Sequence, residues 1–197
     1  MQSNLQHRPS RPLAKPALAA LATAFLALIL ALLAGPSVAV AGRGCKGANK
    51  EPGQLGAGKL RQATICLINR QRGRHGLGAL HSNRKLRRAA TRHSTDMVRR
   101  DYFSHFSPGG GSIQARIGGT GYLAGARRFM YGEVIGGGIG AGASPKAVVR
   151  AWMHSSAHRS AILNGSFRDL GAGVVHGFPG GGQQGATFTV DFGLRSG

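Results

Sequence analysis

Leu170-Gly171-Ala172-Gly173-Val174-Val175-His176 and Ala186-Thr187-Phe188-Thr189-Val190-Asp191-Phe192 set the fold class of this chain. The second run alternates, with Phe188, Val190 and Phe192 on one face, the pattern of a strand packed on a core. Gly177 to Gly185 joins the two runs as a long hairpin, so the pair is expected to be antiparallel. Upstream, Phe129 to Ile135 reads as a further strand and Gly136 to Gly142 as a flexible loop. Ser144-Pro145 carries a helix start, serine at the N-cap and proline at the first helical position. Ala147, Val148, Ala151 and Trp152 follow in helical period, with His158 at the end of that helix. Nearer the N-terminus, Leu60, Ala63, Leu67 and Ile68 recur at helical spacing from Lys59 to about Arg74. Asn83 can cap a second helix whose stripe is Leu86, Ala89, Ala90, His93 and Met97 and which stops near Asp101. A short helical piece lies at Ile113 to Ile117. Helices come first, then strand, helix and two strands with short connections. That order predicts an α+β fold, an antiparallel sheet with helices on its faces.

Composition agrees with one domain and narrows the function. The chain has 197 residues, room for an ordinary domain plus a tail. Hydrophobic residues at 42% exclude a disordered chain, and 33 glycines without a Gly-X-Y period exclude collagen. Two cysteines exclude a disulfide-dense mini-protein. Lysine and arginine number 26 against 6 acids, a formal charge of +20. Arg84, Lys85, Arg87, Arg88, Arg92, Arg99 and Arg100 make one helix strongly cationic, which suits anionic wall polymers or lipid headgroups. Few aromatics interleave with these bases, so base stacking, and with it nucleic-acid binding, is not suggested.

Arg8, Arg11 and Lys15 precede an uncharged run from Ala17 to Ala34; Gly35-Pro36 breaks it, and Ala39-Val40-Ala41 fits the small-x-small cleavage rule. Residues 1–41 therefore read as a secretory signal cleaved after Ala41, the alternative being an uncleaved N-terminal membrane anchor. Residues 42–58, rich in Gly, Lys and Pro, read as a tail, and 59–195 as the domain. Cys45 and Cys66 both lie in the exported part, and an even count in an oxidising compartment suggests one bridge, the alternative being two free thiols. The bridge would pin the tail to the first helix.

There is no G-x-S-x-G elbow, no P-loop and no H-E-x-x-H. What remains is His105 in the aromatic turn Tyr102-Phe103-Ser104-His105-Phe106, Glu133 inside an apolar strand, and His158. A carboxylate within a strand is rarely left alone, because burying it unpaired costs several kcal/mol. Taken singly, each residue also fits a packed histidine or a glutamate satisfied by backbone or arginine. His154 and His158, four apart, have metal-ligand spacing on one helix but make an incomplete site. His75, His93 and His176 read as surface or core residues.

Together these residues resemble the CAP superfamily, named for cysteine-rich secretory proteins, antigen 5 and pathogenesis-related proteins, in its bacterial, secreted, single-domain branch. The likeness runs through Leu67-Ile68-Asn69-Arg70 with Gly76-Leu77; the helix from Leu86 to Met97; Tyr102-Phe103-Ser104-His105 with Ser107-Pro108; and Gly132-Glu133. It continues in Ala151-Trp152-Met153 with Ser155 and His158-Arg159, and closes on Leu170 to Val174 and Asp191-Phe192-Gly193. Cys45-Lys46-Gly47-Ala48-Asn49 with Cys66 resembles a cysteine pair of actinobacterial members. The resemblance implies a three-layer α-β-α sandwich with a small antiparallel sheet, and a cleft holding His105, Glu133, His158 and, where other branches carry a second acid, Ser155. It implies Zn²⁺ or another divalent metal on His105 and His158. It also implies either a binding module for small apolar ligands or the anionic cell envelope, or a metal-assisted, peptidase-like hydrolase with Glu133 as base. The usual Gly-Glu-Asn is Gly132-Glu133-Val134 here, and the usual Pro-Gly before the second histidine is Ser156-Ala157.

Overall fold

The computed structural model describes residues 44–197; the expected signal segment, 1–41, lies outside the described residues. The elements, in order, are α1 (Ala57–Arg74), β1 (His81–Ser82), α2 (Arg84–Arg99), α3 (Ile113–Gly118), β2 (Arg128–Ile139), α4 (Pro145–His154), α5 (Ser156–Ile162), β3 (Asp169–Phe178) and β4 (Gly182–Ser196). Three helix starts sit where their capping residues put them. Asn83 accepts from Lys85 N and Leu86 N, Ser112 from Ala115 N, and Ser144 from Ala147 N.

The strands form one sheet in the order β1-β3-β4-β2. The three long strands are antiparallel; the two-residue β1, unread in the sequence, pairs parallel with β3. β4 is the centre of the sandwich. Phe188, Val190 and Phe192 face one way, into a core with Leu60 and Ile68 of α1 and Val148, Val149 and Trp152 of α4. Thr187, Thr189 and Asp191 face the other way and are equally buried, because α2 covers that face. Ser94 of α2 donates to Thr189 Oγ1 (2.8 Å), and the α2 backbone lies so close to β3 that a Cβ on Gly171 or Gly173 would overlap it. A smaller core of Leu86, Ala89, Ile117 and Tyr122 closes this second layer.

Two expectations are corrected. Gly136 to Ile139 continue β2 instead of forming a loop. Their glycines serve close packing: a Cβ on Gly136 would lie 2.7 Å from Trp152 Nε1, and one on Gly137 2.6 Å from the Ala186 carbonyl. Trp152 Nε1 itself donates to the Ile135 carbonyl (2.7 Å). The Trp152 helix also ends earlier than its apolar period suggested. Ser155 is extended (φ −96°, ψ 123°), so His158 sits on a separate short helix, and the four-residue spacing from His154 does not place the two on one face. Cys45 and Cys66 form a disulfide, and Lys146 N donates to Ala48 O, so the chain from residue 44 is held against α1 and α4. No helix among the described residues is long and apolar enough to cross a membrane.

Candidate functional site

Glu133 sits mid-way along β2, on the face covered by α2 and α3. Its side chain is fully shielded, as the strand position predicts, and it is not left alone. His105 Nδ1, from the turn after α2, lies 2.7 Å from Oε1. Arg116 Nη2, from α3, lies 2.7 Å from Oε2 and completes a buried ion pair. His93 Nε2, from α2, is 3.9 Å from Oε1 and 3.0 Å from the Ser104 carbonyl, which ties the His105 turn to α2. A second hydrogen-bonded group braces that turn: Tyr102 donates to Asp96 Oδ2 at 2.5 Å and lies 3.0 Å from Ser107 Oγ.

The charges follow from this packing. Burial alone would push Glu133 upward; the His105 hydrogen bond and then the Arg116 charge outweigh it and hold the carboxyl below its ordinary value. Burial lowers His93, only partly opposed by Glu133. His158, on α5, lies close enough to feel His105; burial and then the charge of His105 lower it. The structure thus brings His105 and Glu133 into contact, with His158 near His105. Ser155 makes the corner between α4 and α5: its N–H closes on the Trp152 carbonyl (3.2 Å), its own carbonyl accepts from Arg159 N (2.8 Å), and among the described residues no hydrogen bond joins it to the other three. His154 lies apart, on the Arg150 carbonyl.

Arg116 and Asp191 were missed. Nothing distinguishes one arginine of so many by its type, although it falls within the short helical piece read at Ile113 to Ile117. The donor set does not fit a zinc site, which needs three or four converging ligands. Among the described residues no group of three or more His, Cys, Asp or Glu converges, and the Arg116 guanidinium already holds one Glu133 oxygen. Two phenylalanines of the His105 turn are exposed. Phe106, next to His105, is 62% exposed, and Phe103 is 45% exposed, its ring tilted against Phe178 at 5.5 Å.

Residues 66–192 match the cysteine-rich secretory protein family (CAP). The chain belongs to that family. Two relatives are from Bacillus subtilis: the uncharacterized protein YkwD, 33% identical over 113 residues, covering 56% of this chain and 40% of its own, and the uncharacterized membrane protein YlbC, 34% identical over 112 residues, covering 56% and 30%. The CAP chain described here therefore spans less than half the length of either relative. An extracellular SCP-domain protein of Bacillus anthracis is 28% identical with a TM-score of 0.55, over 70% of this chain and 43% of its own. An outer surface protein of Borrelia burgdorferi, 21% identical with a TM-score of 0.56 over 67% and 90%, shares the fold.

Proposed function

We propose that this CAP protein is an exported binding module that attaches to anionic polymers of the cell envelope through the outer face of α2. The observation that carries this reading is the exposure of Arg84, Lys85, Arg87, Arg88, Arg92, Arg99 and Arg100 along that helix. The one acid on α2, Asp96, is already engaged by Tyr102 and lies 3.7 Å from Arg100. Arg84 to Arg99 spans roughly 22 Å at 1.5 Å per residue, and shallow hollows between Arg84, Arg88, Arg92 and Arg99 follow it. A row of phosphates or carboxylates complements such a ladder.

Export with cleavage after Ala41, leaving the tail 42–58 and the domain 59–195, is part of this proposal, as is membership of the actinobacterial secreted branch. The Cys45–Cys66 disulfide supports an oxidising compartment, and one structural neighbour is an extracellular protein. The exposed phenylalanines beside His105 favour a small apolar ligand as a second partner. Metal-assisted hydrolysis finds less support, since both Glu133 oxygens are engaged.

The test is co-sedimentation with purified cell walls. A base near an anionic surface contributes about 1 kcal/mol, so Arg88→Gln/Arg92→Gln/Arg99→Gln should weaken retention by about 3 kcal/mol, roughly a hundredfold, and raised salt should release the parent protein. Equal retention of the triple variant, or retention indifferent to salt, would refute the reading.

A further inference from the structure

Asp191 stands directly opposite Glu133 in the β2–β4 register, and Gly171 stands opposite Asp191 on β3. All three lie on the face under α2. Asp191 is 1% exposed, and neither of its carboxyl oxygens receives a hydrogen bond from any described donor. The groups near it are few. Glu133 comes from β2, and Arg116, from α3, is already bound to Glu133. On α2, His93 approaches the same glutamate and is held neutral by burial. β3 brings only a glycine alongside.

Two carboxyl groups therefore share one buried guanidinium. Were both ionised, Arg116 could match only one of them, His105 reaches Glu133 and is not among the groups beside Asp191, and the two acceptor-only oxygens of Asp191 would face a neighbouring carboxylate. A protonated carboxyl removes both difficulties, because it supplies the missing donor itself.

We propose that Asp191 keeps its proton in the folded protein and donates it as a hydrogen bond to Glu133, so that the pair carries one negative charge, matched by Arg116. The proton stays on Asp191 and no bond to it is broken. Asp191 is then a positioning residue: it gives Glu133 a third donor, beside His105 and Arg116, and fixes that carboxylate as a buried anion against His105. Burial first, then the charge of Glu133, pushes the Asp191 carboxyl well above the ordinary carboxylate range, in the direction this arrangement requires.

The experiment is carbon NMR of the folded protein labelled at its aspartate carboxyls. There are four, at Asp96, Asp101, Asp169 and Asp191, hence four resonances to follow with pH. At about pH 7, where an ordinary aspartate is ionised, three are expected at the carboxylate shift and one at the acid shift. Asp191→Asn, the closest mimic of the neutral acid, should remove the acid resonance. Glu133→Gln should move it to the carboxylate position, because the amide donates to Asp191 and Arg116 becomes its counter-ion. Four carboxylate shifts at neutral pH, an acid resonance that persists in Asp191→Asn, or one unmoved by Glu133→Gln would each overturn the proposal. Should Asp191→Asn fail to fold, the parent protein and Glu133→Gln decide it.

Discussion

Replacing Arg116 by Met, which keeps the length of the stem and removes the charge, tests the centre of the site. The Arg116–Glu133 pair spans 2.7 Å, with side chains 12% and 0% exposed. Unit charges near 4 Å interact by about 4 kcal/mol at an effective dielectric of 20, and removing one partner of a buried pair costs about 3–5 kcal/mol because the other charge is stranded. His105 still donates to Glu133 in the variant, so the low end, about 3 kcal/mol, is expected. That is a large share of the 5–15 kcal/mol typical of a domain. The loss also has a pH signature. Glu133 is held below its ordinary value of 4.5, so its pairing stabilises the fold above that value and is lost as pH falls through the folded one. The gap between parent and variant should therefore narrow as pH drops below about 4.5. Urea unfolding followed by the single, buried Trp152 measures both. Arg116→Met/Glu133→Gln, with neither charge, should recover much of the loss. A cost under about 1 kcal/mol, or a gap that does not change with pH, would show that Arg116 does not hold Glu133.

Gly171→Ala places a methyl against the α2 backbone at Leu86 and Arg87 and should cost at least about 3 kcal/mol, whereas Gly142→Ala, which meets nothing, should stay within about 0.5 kcal/mol in the same urea assay. Opening the Cys45–Cys66 bridge, which joins residues 21 apart, with Cys45→Ser/Cys66→Ser should cost about 3 kcal/mol, and reductant should lower the parent's thermal midpoint to that of the variant. His93 is lowered from 6.5 by burial, so folding is favoured above that pH and weakened as pH falls; His93→Gln should flatten the dependence of the urea midpoint between about pH 7 and 5, and an unchanged slope would count against a buried neutral His93. Trp152→Phe strands the buried Ile135 carbonyl and leaves a gap, an expected loss of about 2–3 kcal/mol.

Local signals carried most of the fold. Asn83 and Ser144 cap the helices they precede, and Phe188, Val190 and Phe192 share a core face, because caps and strand alternation depend on near neighbours alone. The misreadings came from features decided by distant residues. Gly136 to Gly138 look like a loop by composition, yet Trp152, Ala186 and Phe178 press on β2 and leave room only for hydrogen at Gly136 and Gly137. The break at Ser155 carries no proline or glycine to announce it. At the site, the contact of His105 with Glu133 was legible through the family motifs. Asp191 was not, because the polar set of an alternating strand ordinarily faces water, and only α2 lying across β4 turns that set into interior.

The two cores give the domain a direction. Cys45 is bonded to α1, and Ala48 to α4, on one side of the sheet; the arginine ladder lies on the far side, on α2. Cys45 and Ala48 are thus fixed to the back of the sandwich, while the positive surface lies on the front. The full thickness of the sheet separates the bridge from the arginines, so opening the disulfide should cost stability and leave the charge displayed by α2 as it was.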